Sequence, residues 1–326
     1  MKSNRSDILD WSEQGRIAPD RLRAALESAG ALPDAADWRL FLDRLLLWMG
    51  VVMLASAAIF FFAFNWAEMG RLAKIGLAQL ALAGALVFVW RIGLDRAAGK
   101  AALLAAALLV GALFALIGQI YQTGADPWEL FAAWAAAMLP WALLARLPAL
   151  WVLWLALLNL ALSLYFQTFG MLWGMLFAPE KLMWLMFGLN TGALVVWEAL
   201  AFGGLGWLRE RWSVRILATA SGALITALAV FDLLDWNKSS HWGLPVWLAW
   251  IVAAYAAYRH LIKDVYVLAG GVLSVIVVLA TLIAKQMRFT DAGAFLFLGL
   301  LVIGLSAAGG YWLKHVANEN DQAGGA

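Results

Sequence analysis

Ten long apolar runs, separated by short polar segments, follow a polar leader and make up most of the chain. The runs cover residues 45–65, 72–92, 101–120, 129–145, 148–167, 182–203, 214–234, 242–259, 265–284 and 292–313. A transmembrane helix needs roughly 20 consecutive apolar residues. The pattern therefore predicts an all-α fold, a polytopic transmembrane helical bundle of about 10 spans.

The fourth and fifth runs are separated only by Arg146, Leu147 and Pro148, and Pro140 interrupts the fourth run. A single helix over both runs would extend nearly twice the roughly 30 Å hydrocarbon thickness, at about 1.5 Å per residue. We therefore predict two spans joined by a tight hairpin.

The leader predicts two short helices, at residues 7–14 and 19–29. Gly15 and Gly30 suit the left-handed position after a helix end, and Pro19 suits a first helical turn. Six apolar residues could pack these helices together: Ile8, Leu9, Trp11, Leu22, Ala25 and Leu26. The alternative is a solvated leader, because so few apolar residues make a marginal core.

Composition and charge support a membrane location and predict an orientation. The chain is 64% apolar and 13% charged, whereas soluble domains carry roughly 25% charged residues. With the N-terminus inside, 17 of the 23 Lys and Arg residues lie on the cytoplasmic side, as the positive-inside rule requires. We therefore predict a multi-pass protein of the bacterial inner membrane with both termini in the cytoplasm. Residues 1–40 would form a cytoplasmic helical hairpin and residues 41–326 the transmembrane domain.

The densest polar cluster on the predicted outer side lies at the end of span three and in the following turn. Turn chemistry explains part of it, since Gly124 can end a helix and Asp126-Pro127 can begin the next with a capping carboxylate. It does not explain Gln119 and Gln122, which would share a helix face. We predict a ligand or partner surface, the alternative being a hairpin without a ligand. Its candidate residues are Gln119, Tyr121, Gln122, Asp126, Trp128 and Glu129, joined by Asn65, Trp66 and Glu68 from the first outer loop.

Span five carries Asn159, Ser163 and Gln167 at four-residue steps, which places them on one helix face. Such a face should contact protein or water rather than lipid. Asn159 and Gln167 are therefore further candidates for ligand binding. Hydrogen bonding between helices is the alternative explanation.

Glu198 is the only carboxylate that hydropathy places deep within a span. It shares a face of span six with Thr191, Gly188 and Gly192, and the GxxxG step would let a neighbouring helix approach closely. We consider two roles for Glu198, as a proton or cation site beside Thr191 or as a structural acid. The structural acid would be protonated or paired with an arginine. The candidate arginines are Arg209 and Arg215.

Several functions lack support in the sequence. The chain has no Cys, and its three His residues, His241, His260 and His315, fall on different sides of the predicted membrane. No His-Glu-x-x-His pair, phosphate-binding Gly-x-x-x-x-Gly-Lys loop or Gly-x-Ser-x-Gly elbow occurs. We therefore expect no enzyme activity, metal or cofactor. A net charge of +2 gives no reason to expect nucleic acid.

Two segments carry a resemblance to a known family. Residues 117–134 read IGQIYQTGADPWELFAAW, and residues 9–26 read LDWSEQGRIAPDRLRAAL. Together they resemble the bacterial membrane family called domain of unknown function 2157, although Ala18 and Pro19 replace a usual Thr-Glu pair. The resemblance covers roughly the first half of the chain and implies no established activity. Similar proteins often have a membrane-anchored or periplasmic companion protein. The resemblance therefore implies a membrane or periplasmic protein partner in addition to the lipid bilayer.

The sequence favours two functions, ahead of a third, an intramembrane enzyme that acts on a lipid-linked substrate. The first is transport or binding of a small or lipid-derived solute through an outward-facing polar cavity formed by spans three, five and six. The alternative is a non-transporting membrane scaffold that docks periplasmic or membrane partner proteins. The sequence does not determine the ligand, a coupling ion or the oligomeric state.

Overall fold

The computed structural model describes residues 4–33, 35–64, 70–170, 179–234, 242–287 and 292–323. Regular structure in these ranges is exclusively helical, and no β-strand occurs in them. In a bilayer the helix satisfies every backbone hydrogen bond within one segment, which is why a chain this apolar folds in this way. The predicted all-α fold class is confirmed.

Twelve α-helices lie in the described ranges. The first six are α1 (Asn4–Glu13), α2 (Pro19–Ser28), α3 (Ala35–Phe64), α4 (Arg71–Ile92), α5 (Ala97–Tyr121) and α6 (Pro127–Ala145). The other six are α7 (Pro148–Gly170), α8 (Pro179–Phe202), α9 (Arg211–Leu234), α10 (Gly243–Ala256), α11 (Val265–Gln286) and α12 (Ala292–Ala323). Each of the ten predicted spans coincides with one helix from α3 to α12.

Eight of the described helices are long and apolar enough to cross a membrane, namely α4 to α9, α11 and α12. Helix α10 has only 14 residues, but it continues directly into a π-helical turn, Ala257–Leu261. The protein therefore has several membrane-spanning helices. The total of ten spans and the orientation of the termini stay predictions.

The described residues form two compact units. The α3–α7 unit comprises residues 33–182 and 204–213, and the α8–α12 unit comprises residues 1–32, 183–203 and 214–326. The proposed boundary between a hairpin at 1–40 and a membrane domain stays a prediction. Helix α3 begins at Ala35, before its apolar run, so position 40 falls within a continuous helix.

Helices α5, α6 and α7 form the core of the α3–α7 unit, centred on the buried side chains of Leu103, Met138 and Leu150. Two indole groups tie these helices together. Nε1 of Trp134 donates to the carbonyl oxygen of Ala107 over 2.7 Å, and Nε1 of Trp154 donates to that of Ala135 over 3.1 Å.

The hairpin predicted between spans four and five is confirmed. Helix α6 continues through Pro140 and ends at Ala145, and α7 begins at Pro148. Arg146 has a left-handed backbone with φ of 48°, which reverses the chain direction within two residues. The two helices then pack against each other along the hairpin.

Helices α8 to α11 share a second core, which includes Phe187, Ile225, Trp247 and Val278. Three hydrogen-bonded pairs, Arg215–Asp264, Thr219–Tyr266 and Thr226–Ser274, rise together along α9 and α11. Helices α9 and α11 are therefore parallel. Helix α10 runs antiparallel beside them, because its first turn meets Asp232 while Trp250 meets Ser221.

The two short helices predicted in the leader are present as α1 and α2, and they pack against each other. Gly15 and Gly30 have φ of 72° and 64°, and Pro19 is the first residue of α2. Of the six residues proposed to pack these helices, Ile8 and Leu26 are buried. Leu9 and Trp11 are exposed, which is a correction to the predicted core. Leu22 and Ala25 are half-buried.

Candidate functional site

The predicted outer cluster lies where α5 ends and α6 begins. Gln119, Gln122 and Glu129 are exposed, and the ring of Tyr121 is 62% exposed. Helix α5 ends at Tyr121, and Gln122 has a left-handed backbone with φ of 44°. The predicted shared helix face of Gln119 and Gln122 is therefore wrong, because Gln122 no longer follows the helical repeat.

Asp126 occupies the predicted position before the first residue of α6, and Pro127 begins the helix. Its carboxylate, however, makes no capping hydrogen bond, which corrects the predicted role of this side chain. The backbone N–H that the carboxylate would have bound, that of Glu129, donates instead to the carbonyl oxygen of Asp126 over 3.0 Å.

Trp128 is placed differently from the rest of the outer cluster. Its ring packs edge-on against Tyr165 of α7, with 5.1 Å between ring centroids, and Tyr165 contacts Phe169 in turn. The indole Nε1 of Trp128 is buried and has no hydrogen-bond partner among the described residues. Trp128 therefore serves the packing of α6 on α7. Asn65, Trp66 and Glu68 lie outside the described residues.

The polar stripe of span five lies on α7. Nδ2 of Asn159 donates to the carbonyl oxygen of Leu155 over 2.8 Å, and Oγ of Ser163 donates to that of Asn159 over 2.9 Å. Both side chains thus bond to their own helix one turn earlier. Gln167 is exposed near the end of α7. A ligand role for Asn159 and Gln167 stays a prediction.

Glu198 has a hydrogen-bond partner on another helical segment. The hydroxyl group of Tyr258, in the π-helical turn, donates to Oε1 of Glu198 over 3.0 Å. Arg215, a proposed partner of Glu198, instead pairs with Asp264, with 3.3 Å between Nε and Oδ2. Arg215 thus has an acidic partner of its own, and the Tyr258 hydroxyl group supplies one contact of Glu198. A pairing of Glu198 with Arg209 or Arg215 stays a prediction.

Thr191 lies within a hydroxyl contact between α8 and α9. Its Oγ1 is 2.6 Å from Oγ of Ser221, which also accepts from Nε1 of Trp250 over 2.9 Å. The predicted close approach at Gly188 and Gly192 does not occur among the described residues, because a Cβ atom on either would contact nothing within 4 Å. Helix α8 meets α9 through Thr191 instead.

A groove lies between α9 and α11, and it was not predicted from the sequence. Trp250 of α10 lies on its inner side. The groove has a volume of about 600 Å³. Small residues form its walls, among them Ala218, Gly222 and Ala223 of α9 and Gly270 of α11, and Trp250 of α10 lies behind them. The signal in the sequence was the clustering of Ala and Gly on α9 together with Gly270. Polarity marks the outer cluster and Glu198 in the sequence, whereas the groove lining is mainly apolar.

A chain of hydroxyl and indole groups crosses the deep part of the groove. Oγ1 of Thr226 donates to the carbonyl oxygen of Gly222 over 2.6 Å and lies 2.5 Å from Oγ of Ser274. Nε1 of Trp247 donates to the same Ser274 oxygen over 2.8 Å. These groups bond to one another, so the wall around them presents mainly carbon atoms.

The other end of the groove is polar. Arg215 lies over the ring of Tyr266, with 5.4 Å from its guanidinium carbon to the ring centroid. Oη of Tyr266 is 3.2 Å from Oγ1 of Thr219, and Asp264 caps α11 by accepting the backbone N–H of Tyr266. The groove therefore ends at the hydroxyl groups of Thr219 and Tyr266, with the Arg215 cation beside them, and has a long apolar body.

A second ion cluster lies between the π-helical turn and the end of α12. Arg259 pairs with Glu319, and Nε2 of His315 is 3.1 Å from Oε1 of Glu319. Tyr255 stacks on Trp312 at 6.1 Å between centroids. These contacts hold the polar last turns of α12 against the end of α10. Within the described ranges, no three His, Asp or Glu side chains are grouped so that they could hold a metal ion.

Comparison with known proteins agrees with the membrane character of the chain and adds no activity. No curated protein and no solved structure matches the chain significantly. Residues 9–151 match the model of a family described as "Predicted membrane protein (DUF2157)". The matched range includes α2 to α6 and the outer turn at Gln122. The family resemblance carried by residues 9–26 and 117–134 is therefore confirmed, and the N-terminal half of this chain is similar to the predicted membrane proteins of DUF2157.

Proposed function

We propose that this membrane protein binds a lipid-derived solute in the groove between α9 and α11. The size and lining of this groove are the observations on which the proposal rests. Its volume of about 600 Å³ falls within the roughly 300–1,000 Å³ typical of small-molecule sites. Its lining of Ala, Gly, Leu and Val side chains favours an alkyl chain over a polar solute.

The length of the groove suits one hydrocarbon chain. Its lining on α9 runs from Ala218 to Val230, which corresponds to about 18 Å of helix. Half of the hydrocarbon core of a bilayer measures about 15 Å. An acyl or isoprenoid chain from one leaflet would therefore fill the groove along most of its length.

This proposal narrows the functions that the sequence left open. A lipid-derived solute is favoured over a small polar one, because the groove is apolar. An outward-facing polar cavity formed by α5, α7 and α8 stays a prediction. Docking of a protein partner is a second candidate function, favoured by the exposed Gln119, Tyr121 and Glu129 at the outer turn.

The groove can be tested by filling it with a side chain. Gly270 lines it, and a Cβ atom there would meet nothing within 4 Å, so the side chain of Gly270→Leu would extend from the wall into the groove. Gly271 is the matched control, since it also has open space around it but is not part of the lining. Each variant would be placed in nanodiscs with a lipid that carries a photoreactive acyl chain.

We expect peptides from α9 and α11 to be cross-linked in the unmodified protein. Gly270→Leu should reduce this cross-linking about tenfold, whereas Gly271→Leu should leave it unchanged, because an occupied cavity excludes the chain. Equal cross-linking in all three proteins would overturn the proposed function. Docking at the outer turn would then be the remaining candidate.

A further inference from the structure

We infer that the Arg215 end of the groove binds the phosphate of an anionic lipid headgroup. This inference rests on the proposed function, because it assigns the polar part of a ligand whose chain occupies the groove. It names a phospholipid as the ligand class.

The ion pair at this end presents its cation outward. The Arg215 side chain is 44% exposed, whereas that of Asp264 is 3% exposed. Asp264 also accepts the backbone N–H of Tyr266 over 3.0 Å, so its carboxylate is engaged on the inner side. A ligand that approaches from the groove or the bilayer would therefore meet the guanidinium group first. Arginine suits phosphate because its planar array of N–H donors matches two phosphate oxygens.

Tyr266 and Asp264 hold the guanidinium group in place. Nε of Arg215 donates to Oδ2 of Asp264, and the group lies over the Tyr266 ring at 5.4 Å. Because Nε is engaged with Asp264, the two terminal nitrogens of Arg215 are the donors that we expect to bind a ligand. The hydroxyl groups of Tyr266 and Thr219, which are 3.2 Å apart, lie beside it and can bond further headgroup oxygens.

Two helix N-termini add to the positive potential. Helices α9 and α11 are parallel and contain 24 and 22 residues, and both begin at the end where Arg215 meets Asp264. The N-terminus of a helix carries a partial positive charge of about half an elementary charge, which favours anions. Lys263, exposed in the turn before α11, has the same sign. An anionic phosphate is therefore favoured over a headgroup of zero net charge.

The length of the groove agrees with this placement. A phosphate at Arg215 would leave the attached chain to run past Gly222 and Gly270 towards Val230. The hydroxyl groups of Thr226 and Ser274 in that region bond to each other at 2.5 Å, and they do not require a polar ligand. Headgroup and chain are thus separated along the groove as they are in a phospholipid.

The test compares two lipids that differ only in the headgroup. Phosphatidylglycerol and phosphatidylcholine with the same photoreactive acyl chain would be present in equal amounts in nanodiscs with the full chain. We expect cross-linking in the groove to favour phosphatidylglycerol about fivefold, the effect of roughly one basic residue near a membrane surface. Arg215→Gln combined with Asp264→Asn should reduce this ratio to about one. Both residues are changed because Arg215→Gln alone would leave a buried carboxylate without its cation.

Total cross-linking should stay unchanged in the double variant, because the apolar groove is intact. Arg91→Gln is the matched control, since Arg91 also lies over a ring, that of Trp90 at 5.4 Å, but belongs to α4, which contributes no residue to the groove. It should retain the fivefold ratio. Should the double variant not fold, Thr219→Val combined with Tyr266→Phe removes two hydroxyl groups without changing charge and should also lower the ratio.

The outcomes separate this inference from the proposed function. A fivefold ratio that persists in the double variant, or a ratio of one in the unmodified protein, overturns the headgroup assignment and leaves chain binding intact. Cross-linking of both lipids that is unaffected by Gly270→Leu overturns the groove as the binding site, and the headgroup assignment fails with it. An equal loss of the ratio in Arg91→Gln would assign the preference to general surface charge and overturn the role of Arg215.

Discussion

The hydroxyl group of Tyr258 donates a hydrogen bond to Oε1 of Glu198 over 3.0 Å and so connects α8 to the π-helical turn after α10. Tyr258 is 4% exposed. An ionisable group within a membrane span is costly unless it has polar partners. This contact therefore supplies one partner for an acid that hydropathy alone would place among apolar residues.

We expect Tyr258→Phe to lower the free energy of unfolding by about 0.5 to 2 kcal/mol, the range of hydrogen bonds between membrane helices. Glu198→Gln should lower it as well, and the double variant should cost less than the sum of the two. Thermal unfolding in detergent measures all three. Full additivity of the two changes would contradict a direct bond.

Tyr255→Phe is the control for loss of a tyrosine hydroxyl, because Tyr255 stacks on Trp312 and Phe retains that ring contact. It should leave the free energy of unfolding within about 0.5 kcal/mol of that of the unmodified protein.

The effects of changes at Glu198 and Arg215 on the free energy of unfolding should be additive, since Arg215 pairs with Asp264. Glu198→Gln with normal stability but lost activity would instead support the proton or cation role.

Addition of one methyl group at Gly111 should measurably lower the free energy of unfolding. A Cβ atom there would lie 2.4 Å from the ring of Trp134, whose indole is fixed by its bond to Ala107. We expect Gly111→Ala to lower the free energy of unfolding by about 1 to 3 kcal/mol, as overpacking does. Trp134→Phe in the same protein should recover part of this loss.

The matched control is Gly84→Ala in α4, where a Cβ atom would meet nothing within 4 Å. Because Ala is the better helix former, this change should raise stability by about 0.5 to 1 kcal/mol. Chemical unfolding of both variants in the same detergent gives the comparison. Equal effects at Gly111 and Gly84 would show that the indole does not pack as described.

The left-handed backbone of Gln122 should make this position more stable with glycine than with glutamine. Its φ of 44° is unfavourable for a residue with a side chain, so Gln122→Gly should raise the free energy of unfolding by about 1 kcal/mol. Gln119→Gly removes the same side chain from within α5 and should lower it by about 1 kcal/mol. Two changes of the same sign would contradict the helix end at Tyr121.

The predicted orientation can be tested by cysteine labelling, because the native chain has no Cys. Thr123 and Ser28 are both exposed. In intact spheroplasts, Thr123→Cys should react with a membrane-impermeant maleimide and Ser28→Cys should not. After lysis both should react. Labelling of Ser28→Cys before lysis would contradict a cytoplasmic N-terminus.

The outer turn, which lies in the family-matched range, shows which structural features can be predicted from neighbouring residues alone. Asp126-Pro127 predicted a helix start and Gly124 a left-handed turn, and both are present, because backbone preferences act over a few residues. Gln122 rather than Gly124, however, is the residue that ends α5, which corrects the predicted role of Gly124. The capping role of the Asp126 side chain and the shared face of Gln119 and Gln122 were wrong. The shared face depends on the residue at which α5 ends, and sequence patterns locate helix ends only within a few residues. The capping role depends on the backbone geometry of the first turn of α6, where the N–H of Glu129 donates to the carbonyl oxygen of Asp126.

The sequence by itself determined which segments are helices. Long apolar runs must satisfy their own backbone hydrogen bonds in a membrane, and residues such as Gly15 in the leader and Pro148 between two runs mark helix ends and helix starts through fixed local preferences. Only the tertiary structure decided which side chains meet. Glu198 bonds Tyr258 while Arg215 bonds Asp264, and both pairs join residues about 50 to 60 positions apart. Such pairings, and the groove between α9 and α11, depend on the register and spacing of whole helices, which packing fixes and a one-dimensional pattern of hydropathy does not contain.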